Sequence, residues 1–122
     1  MNSTDTEKKI TTTPAATEAD TSQDLEGLVR FSKPYHFEGE SYTEIDLGGI
    51  EDLSAKDMIA AEKYLAKSGT ISPIPEMTME YIGFICNRAT GLPIEFFKSL
   101  PPKDAIKVKN KVTSFFYGED FD

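Results

Sequence analysis

Apolar and polar residues alternate along this chain with two different periods, and the change of period separates a strand-forming part from a helix-forming part. In the first part the alternation has a period of two, as in a half-buried strand. The predicted inward side chains of this strand are Val29, Phe31, Tyr35 and Phe37. Gly39 then supplies a turn, and the second strand directs inward Thr43, Ile45 and Leu47. The pattern predicts a β-hairpin, with Pro34 marking an edge position or a break in the first strand.

From Met58 onward the apolar residues recur with the period of an α-helix. Ser54 and Asp57 resemble a capping box at the start of this first helix, and Gly69 is a natural stop. A second helix is predicted from Met79 to Ala89, with Thr78 as its cap and Gly91 after its end. Apolar residues nearly encircle this second helix, so it is either central to the core or shared with a partner.

Proline residues introduce two further helices. Pro93 suits the first turn of a short helix, and Pro101 and Pro102 suit the start of the last one. One side of the last helix is lined by Ala105, Val108, Val112, Phe115 and Phe116. The predicted fold is α+β: an N-terminal β-hairpin followed by three to four short α-helices, predominantly helical, in a single globular domain over residues 25–118.

Both ends of the chain have a different composition from this domain. Residues 1–24 are rich in Thr and carry five acids against two lysines, with Ile10 as the one bulky aliphatic side chain after Met1. Such a segment buries too little apolar area to offset the entropy of ordering it. We expect residues 1–24 to be a disordered acidic tail and residues 119–122 to be a short acidic C-terminal tail.

Charge and hydropathy exclude several classes of protein. The net charge is −8, from 21 acidic and 13 basic residues, which disfavours binding to the phosphates of a nucleic acid. No apolar run is long enough to span a membrane, and the N-terminus lacks the features of a secretory signal. The single Cys86 lies in an apolar run, as a core residue of an intracellular protein would. We therefore expect a soluble intracellular protein without nucleic-acid or membrane partners.

The sequence contains no recognisable catalytic, cofactor or metal site. It lacks a phosphate-binding loop, a dinucleotide fingerprint and paired cysteines. His36 is the single histidine and falls on the polar face of the first strand. The polar face of the hairpin also carries the acids Glu38, Glu40, Glu44 and Asp46. A small hydrolase or metal-dependent enzyme that uses His36 and these acids is the enzymatic alternative, and a non-enzymatic protein is the expectation.

A lysine stripe on the last helix repeats every four residues, at Lys103, Lys107 and Lys111. Such a stripe is usually a solvated helix face without a binding role. The alternative is that these lysines form a surface that attracts an acidic partner.

Residues 31–116 resemble the small tail assembly chaperones of long-tailed bacteriophages, the Mu-like type included. The resemblance rests on the order of several short elements rather than on active-site residues. These elements are Phe37-Glu38-Gly39 to Tyr42, Ile45-Asp46-Leu47, residues 53–63, Pro75-Glu76-Met77, Arg88-Ala89-Thr90-Gly91 and Leu100-Pro101.

The resemblance implies a non-enzymatic helper in the cytoplasm of the bacterial host that is absent from the mature virion. Its implied partner is the tape measure protein, which it keeps soluble until tail tube subunits polymerise around it. Tail tube protein and a second copy of the chain are further candidate partners. Surplus aromatic residues in the C-terminal half supply the candidate contacts, namely Tyr81, Phe84, Phe96, Phe97, Phe115 and Phe116. The alternative function is a non-enzymatic adaptor or oligomerisation module.

Overall fold

A computed structural model describes residues 26–118. The two tails predicted at 1–24 and 119–122 lie outside the described residues. Within 26–118 the chain forms a two-stranded antiparallel sheet and four α-helices around one hydrophobic core, which confirms the predicted α+β class.

The hairpin consists of strand β1, Leu28–Phe37, and strand β2, Glu40–Asp46. Glu38 and Gly39 join them, and both residues have positive φ angles of 50° and 84°. Two successive left-handed residues characterise a type I′ turn, whose twist matches that of the flanking strands. Gly39 therefore acts as the sequence predicts.

The pairing of β1 with β2 is interrupted between Arg30 and Tyr35, where the register shifts. Pro34 lies in this interval, as expected for a residue that cannot donate to a strand ladder. The shift corrects one prediction about β2: Thr43 is exposed, whereas Tyr42 is half-buried and packs against the core. Strict alternation fails here because the irregular pairing changes which side chains of the two strands share a face.

A 3₁₀ turn at Gly48–Asp52 leads from the hairpin to helix α1, Ala55–Lys67. The predicted capping box is present. The Ser54 hydroxyl accepts a hydrogen bond from the Lys56 backbone at 3.2 Å, and Asp57 Oδ2 accepts one from the Ser54 backbone at 3.0 Å. A connector containing the 3₁₀ turn Pro75–Met77 then leads to the second helix.

Helix α2, Met79–Thr90, lies at the centre of the fold, which settles the two alternatives for its apolar faces in favour of the core. It packs against α1, both 3₁₀ turns and the last two helices. The Thr78 hydroxyl caps its first turn, and Gly91 ends it with a φ of 82°. Its fully buried side chains are Tyr81, Ile82, Ile85 and Cys86.

The last two helices are α3, Ile94–Lys98, and α4, Pro102–Tyr117. Pro102 occupies the first turn of α4, where a missing backbone N–H costs nothing. Helix α4 packs on β1 and is joined to it through a carboxylate that is 0% exposed, that of Asp104. Asp104 accepts hydrogen bonds from the Ser32 backbone N–H at 2.9 Å and from the Ser32 hydroxyl at 3.2 Å.

Candidate partner-binding surface

The aromatic residues predicted to contact a partner divide between the core and the surface. Phe96 is 0% exposed, and its ring centroid lies 4.8–6.3 Å from those of five other aromatic residues. These five are Phe31, Tyr35, Phe37, Tyr42 and Phe97. The Tyr35 hydroxyl also donates to the Phe96 carbonyl oxygen at 2.8 Å. The hairpin thus wraps around Phe96, and the prediction that this side chain contacts a partner is wrong.

Tyr81 and Phe97 are likewise core residues rather than surface contacts, with 1% and 2% of their area exposed. Burial, and more weakly the charges of Glu62 and Glu76, raise the pKa of Tyr81 to about 12. The loss of hydration on burial and the neighbouring carboxylates both disfavour a phenolate here, so Tyr81 stays neutral over the physiological range.

Phe84, Phe115 and Phe116 are half-buried and remain candidates for contact. Phe84 lies between the ring of Tyr64, 5.4 Å away, and the guanidinium of Arg88, 5.0 Å above its face. Phe116 packs edge-on against Tyr81 at 6.3 Å. Each of these three side chains therefore stabilises the fold with one part of its surface and offers the rest to solvent.

The most exposed apolar side chain, Ile71, lies on the connector between α1 and α2, which the sequence analysis did not select. Ile59 on α1 and Ile106 on α4 are also more than half exposed, at 54% and 51%. Ile71 is 96% exposed and Ile74 is 49% exposed. The end of α4 lies against this connector, because the Tyr117 hydroxyl donates a hydrogen bond to Glu76 Oε2. We call the group Ile71, Ile74, Phe116 and Tyr117 the connector surface.

A carboxylate, that of Glu76, borders the connector surface. The hydrogen bond to Glu76 raises the pKa of Tyr117 above its ordinary value, since a phenolate there would face a carboxylate. Exposed apolar side chains beside acidic groups can bury the apolar stripe of a partner helix while the charges stay in water.

Periodicity could not identify Ile71 and Ile74, because the segment from Gly69 to Pro75 has neither a helical nor a strand period. The available signal was a bulky aliphatic residue in an extended, proline-containing linker, where no helix or strand offers a core-facing side.

The residues considered for enzymatic chemistry lie on the hairpin, where two of the acids have structural partners. His36 is exposed, the Asp46 carboxylate accepts a hydrogen bond from the Gly48 backbone at 2.8 Å, and Glu44 lies 3.7 Å from Arg30. Cys86 is buried, and burial raises the pKa of its thiol. Among residues 26–118 no group of three His, Cys, Asp or Glu side chains could hold a metal ion.

No helix in the described part of the chain is long and apolar enough to cross a membrane. No protein-family model matches the sequence, and searches of curated proteins and of solved structures find no similar protein. The connector surface is therefore the candidate functional site that the described residues offer.

Proposed function

We propose that this protein is a bacteriophage tail assembly chaperone that binds the tape measure protein, keeps it soluble and helps to recruit tail tube subunits. It does so without catalysis, in the cytoplasm of the bacterial host, and is absent from the mature virion. The observation that carries the proposal is the connector surface. The ordered resemblance over residues 31–116 supplies the identity of the partner.

The apolar exposure at the connector is what a helix-binding surface needs. Burying one isoleucine side chain fully contributes about 1.5–3 kcal/mol, so Ile71 and Ile74 together can contribute several kcal/mol to association. Single exposed apolar residues are common on any protein, but here two lie within four positions, on a connector whose 3₁₀ turn Pro75–Met77 contacts α4.

The charge of the protein suits the same task. A long tape measure helix exposes apolar faces before the tail tube covers them, and such faces promote aggregation. A partner with a net charge of −8 masks those faces and gives the complex the net charge that keeps it in solution.

The alternative function is an adaptor or oligomerisation module, and the reason for it is that apolar residues nearly encircle helix α2. Because α2 is surrounded by its own chain, that helix no longer favours self-association. The adaptor function is accordingly an outcome of the test below rather than a second proposal.

The test is co-expression of the full chain with a tape measure protein of a long-tailed bacteriophage, followed by affinity purification and size exclusion. We expect a soluble complex with the wild-type chain and at least a tenfold weaker one with the double variant Ile71→Ser, Ile74→Ser, because each lost apolar contact costs more than about 1 kcal/mol. Ile106→Ser is the matched control, since Ile106 is 51% exposed and lies near the start of α4, away from the connector.

An insoluble tape measure protein, with this chain eluting alone, would overturn the chaperone function and leave the adaptor function. A complex that tolerates the double variant but not Ile106→Ser would keep the chaperone function and move its binding surface to α4.

A further inference from the structure

A second surface, separate from the connector, lies where β1 begins beside α4. It is an open groove of about 610 Å³. Its lining residues are Leu28, Val29, Arg30, Lys107, Asn110, Lys111 and Ser114.

The floor of this groove is the outer edge of β1. The Leu47 backbone N–H donates to the Gly27 carbonyl at 2.8 Å, so Gly27 and Val29 direct their backbone groups toward β2. The alternation of an antiparallel ladder then directs the backbone groups of Leu28 and Arg30 outward. Lys107 Nζ confirms this direction, because it reaches the outward carbonyl of Arg30 at 2.9 Å.

Helix α4 satisfies only part of that edge. Lys107 donates a hydrogen bond to the Arg30 carbonyl, and Asp104 accepts one from the Ser32 N–H. Within residues 26–118 no hydrogen bond is found for the outward N–H groups of Leu28 and Arg30. An open strand edge with free donors is a template for another strand, and proteins normally cover it.

The groove is basic in an acidic protein. Arg30 pairs with Glu44 at 3.7 Å and Lys107 with Asp104 at 3.8 Å, but Lys111 has no ionic partner among the described residues. An extended segment that adds to this edge is therefore favoured when it carries negative charge.

The sequence of the chain itself contains such a segment shortly before β1. Residues 26 and 27 form a turn directly before β1. Gly27 anchors that turn, because a Cβ on it would lie 2.4 Å from the Gly48 backbone nitrogen. Upstream of the turn, residues 18–24 contain the three acids Glu18, Asp20 and Asp24 and no basic residue.

From these observations we propose that the acidic segment 18–24 of the same chain docks in the basic groove between β1 and α4 and adds to the open edge of β1. The short connection makes the docking intramolecular, so that modest contacts suffice to hold the segment. Docking closes the edge to other strands, and it is independent of the proposed chaperone function.

The test is amide hydrogen exchange of the full chain, followed residue by residue by NMR. The amides of Leu28 and Arg30 should exchange slowly in the wild type. Neutralising the segment with Glu18→Gln, Asp20→Asn and Asp24→Asn should speed both amides by about tenfold, whereas the ladder amides of Val29 and Ile45 stay unchanged.

The groove is tested separately by changing one lysine in it and one outside it. Lys111→Gln should speed the amides of Leu28 and Arg30, and Lys103→Gln, which lies outside the groove, should not. Fast exchange of both amides in the wild type, or slow exchange that survives neutralisation of the three acids, would overturn the proposal. Slow exchange that depends on protein concentration would also overturn it, by identifying a second copy as the occupant.

Discussion

The two sides of this domain use apolar residues in opposite ways. The hairpin side comprises β1, β2, the 3₁₀ turn Gly48–Asp52 and α3, and it buries an aromatic cluster around Phe96. The connector side comprises α1, the connector and the end of α4, and it leaves Ile71 and Ile74 in solvent. The comparison shows that an aromatic cluster forms the core on the hairpin side, whereas the connector side exposes aliphatic residues of an irregular segment beside the partly exposed aromatic end of α4.

Size and shape explain this division. A two-stranded hairpin is marginal by itself and needs a large apolar surface to pack on. Phe96 provides it, because one ring reaches side chains on both strands and on its own helix. The connector contains no strand or wide helix face of its own, so the domain leaves Ile71 almost fully exposed and covers only about half of Ile74.

The largest loss of stability is expected from a substitution in the aromatic cluster of the hairpin side. Phe96→Ala removes the ring at the centre of the aromatic cluster and should lower the free energy of unfolding by about 3–5 kcal/mol. Urea denaturation followed by circular dichroism measures this loss. Ile106→Ala, at a half-exposed site, is the control and should change stability by less than about 0.5 kcal/mol. Equal losses in the two variants would erase the distinction between core aromatics and surface aliphatics.

The second-largest loss of stability is expected at Gly49, where the backbone after the hairpin packs closely against α2. A Cβ on Gly49 would lie 2.6 Å from the Ala89 carbonyl oxygen, so Gly49→Ala should cost about 2 kcal/mol or more. Gly83→Ala is the matched control, since its Cβ would meet Ile94 at an ordinary 3.5 Å. Removing a glycine from the interior of α2 should stabilise the protein by up to about 1 kcal/mol. Thermal melting of both variants should therefore show shifts of opposite sign.

The carboxylate that joins α4 to the hairpin gives the third prediction. Asp104→Ala leaves the Ser32 N–H without its acceptor and should cost about 1–3 kcal/mol. Asp104→Asn retains an acceptor oxygen and should lose less. Chemical denaturation of both variants measures the difference, and an equal loss would show that the charge, rather than the hydrogen bond, holds the two elements together.

The core helix α2 is expected to make the stability of the domain sensitive to alkaline pH through Tyr81. Its pKa in the folded protein is raised to about 12 from 10.0, so the neutral side chain stabilises the fold fully below pH 10 and this stability is lost as pH rises toward 12. In Tyr81→Phe this loss is absent. Between pH 10 and 12 the stability of the wild type should fall relative to Tyr81→Phe by about 1 kcal/mol per pH unit. Parallel pH profiles of the two proteins would contradict the assignment of Tyr81 to the core.

The smallest effect on stability belongs to the connector surface. The double variant Ile71→Ser, Ile74→Ser should change the free energy of unfolding by less than about 0.5 kcal/mol, because the largely exposed Ile71 and the half-exposed Ile74 bury little area in the domain. Binding of an apolar dye to the native protein should fall in the same variant. A loss of stability comparable to that of Phe96→Ala would show that these isoleucines belong to the core and would remove the contrast between the two sides.

The sequence by itself determined the local elements of this protein. The capping box at Ser54, the Thr78 cap, the turn at Gly39 and the stop at Gly91 each depend on residues within a few positions, so pattern and spacing were enough to place them. The order of hairpin and helices followed from the change in hydrophobic period.

Only the tertiary structure decided which apolar residues are covered. Phe96 is buried by strands about sixty positions earlier in the chain, and Tyr42 turns inward because the pairing of β1 with β2 shifts near Pro34. Neither fact has a local signal, since a helix face is equally apolar whether its own chain or a partner covers it. Burial is a property of packing between distant segments, and for that reason only the folded domain shows which apolar side chains stay exposed.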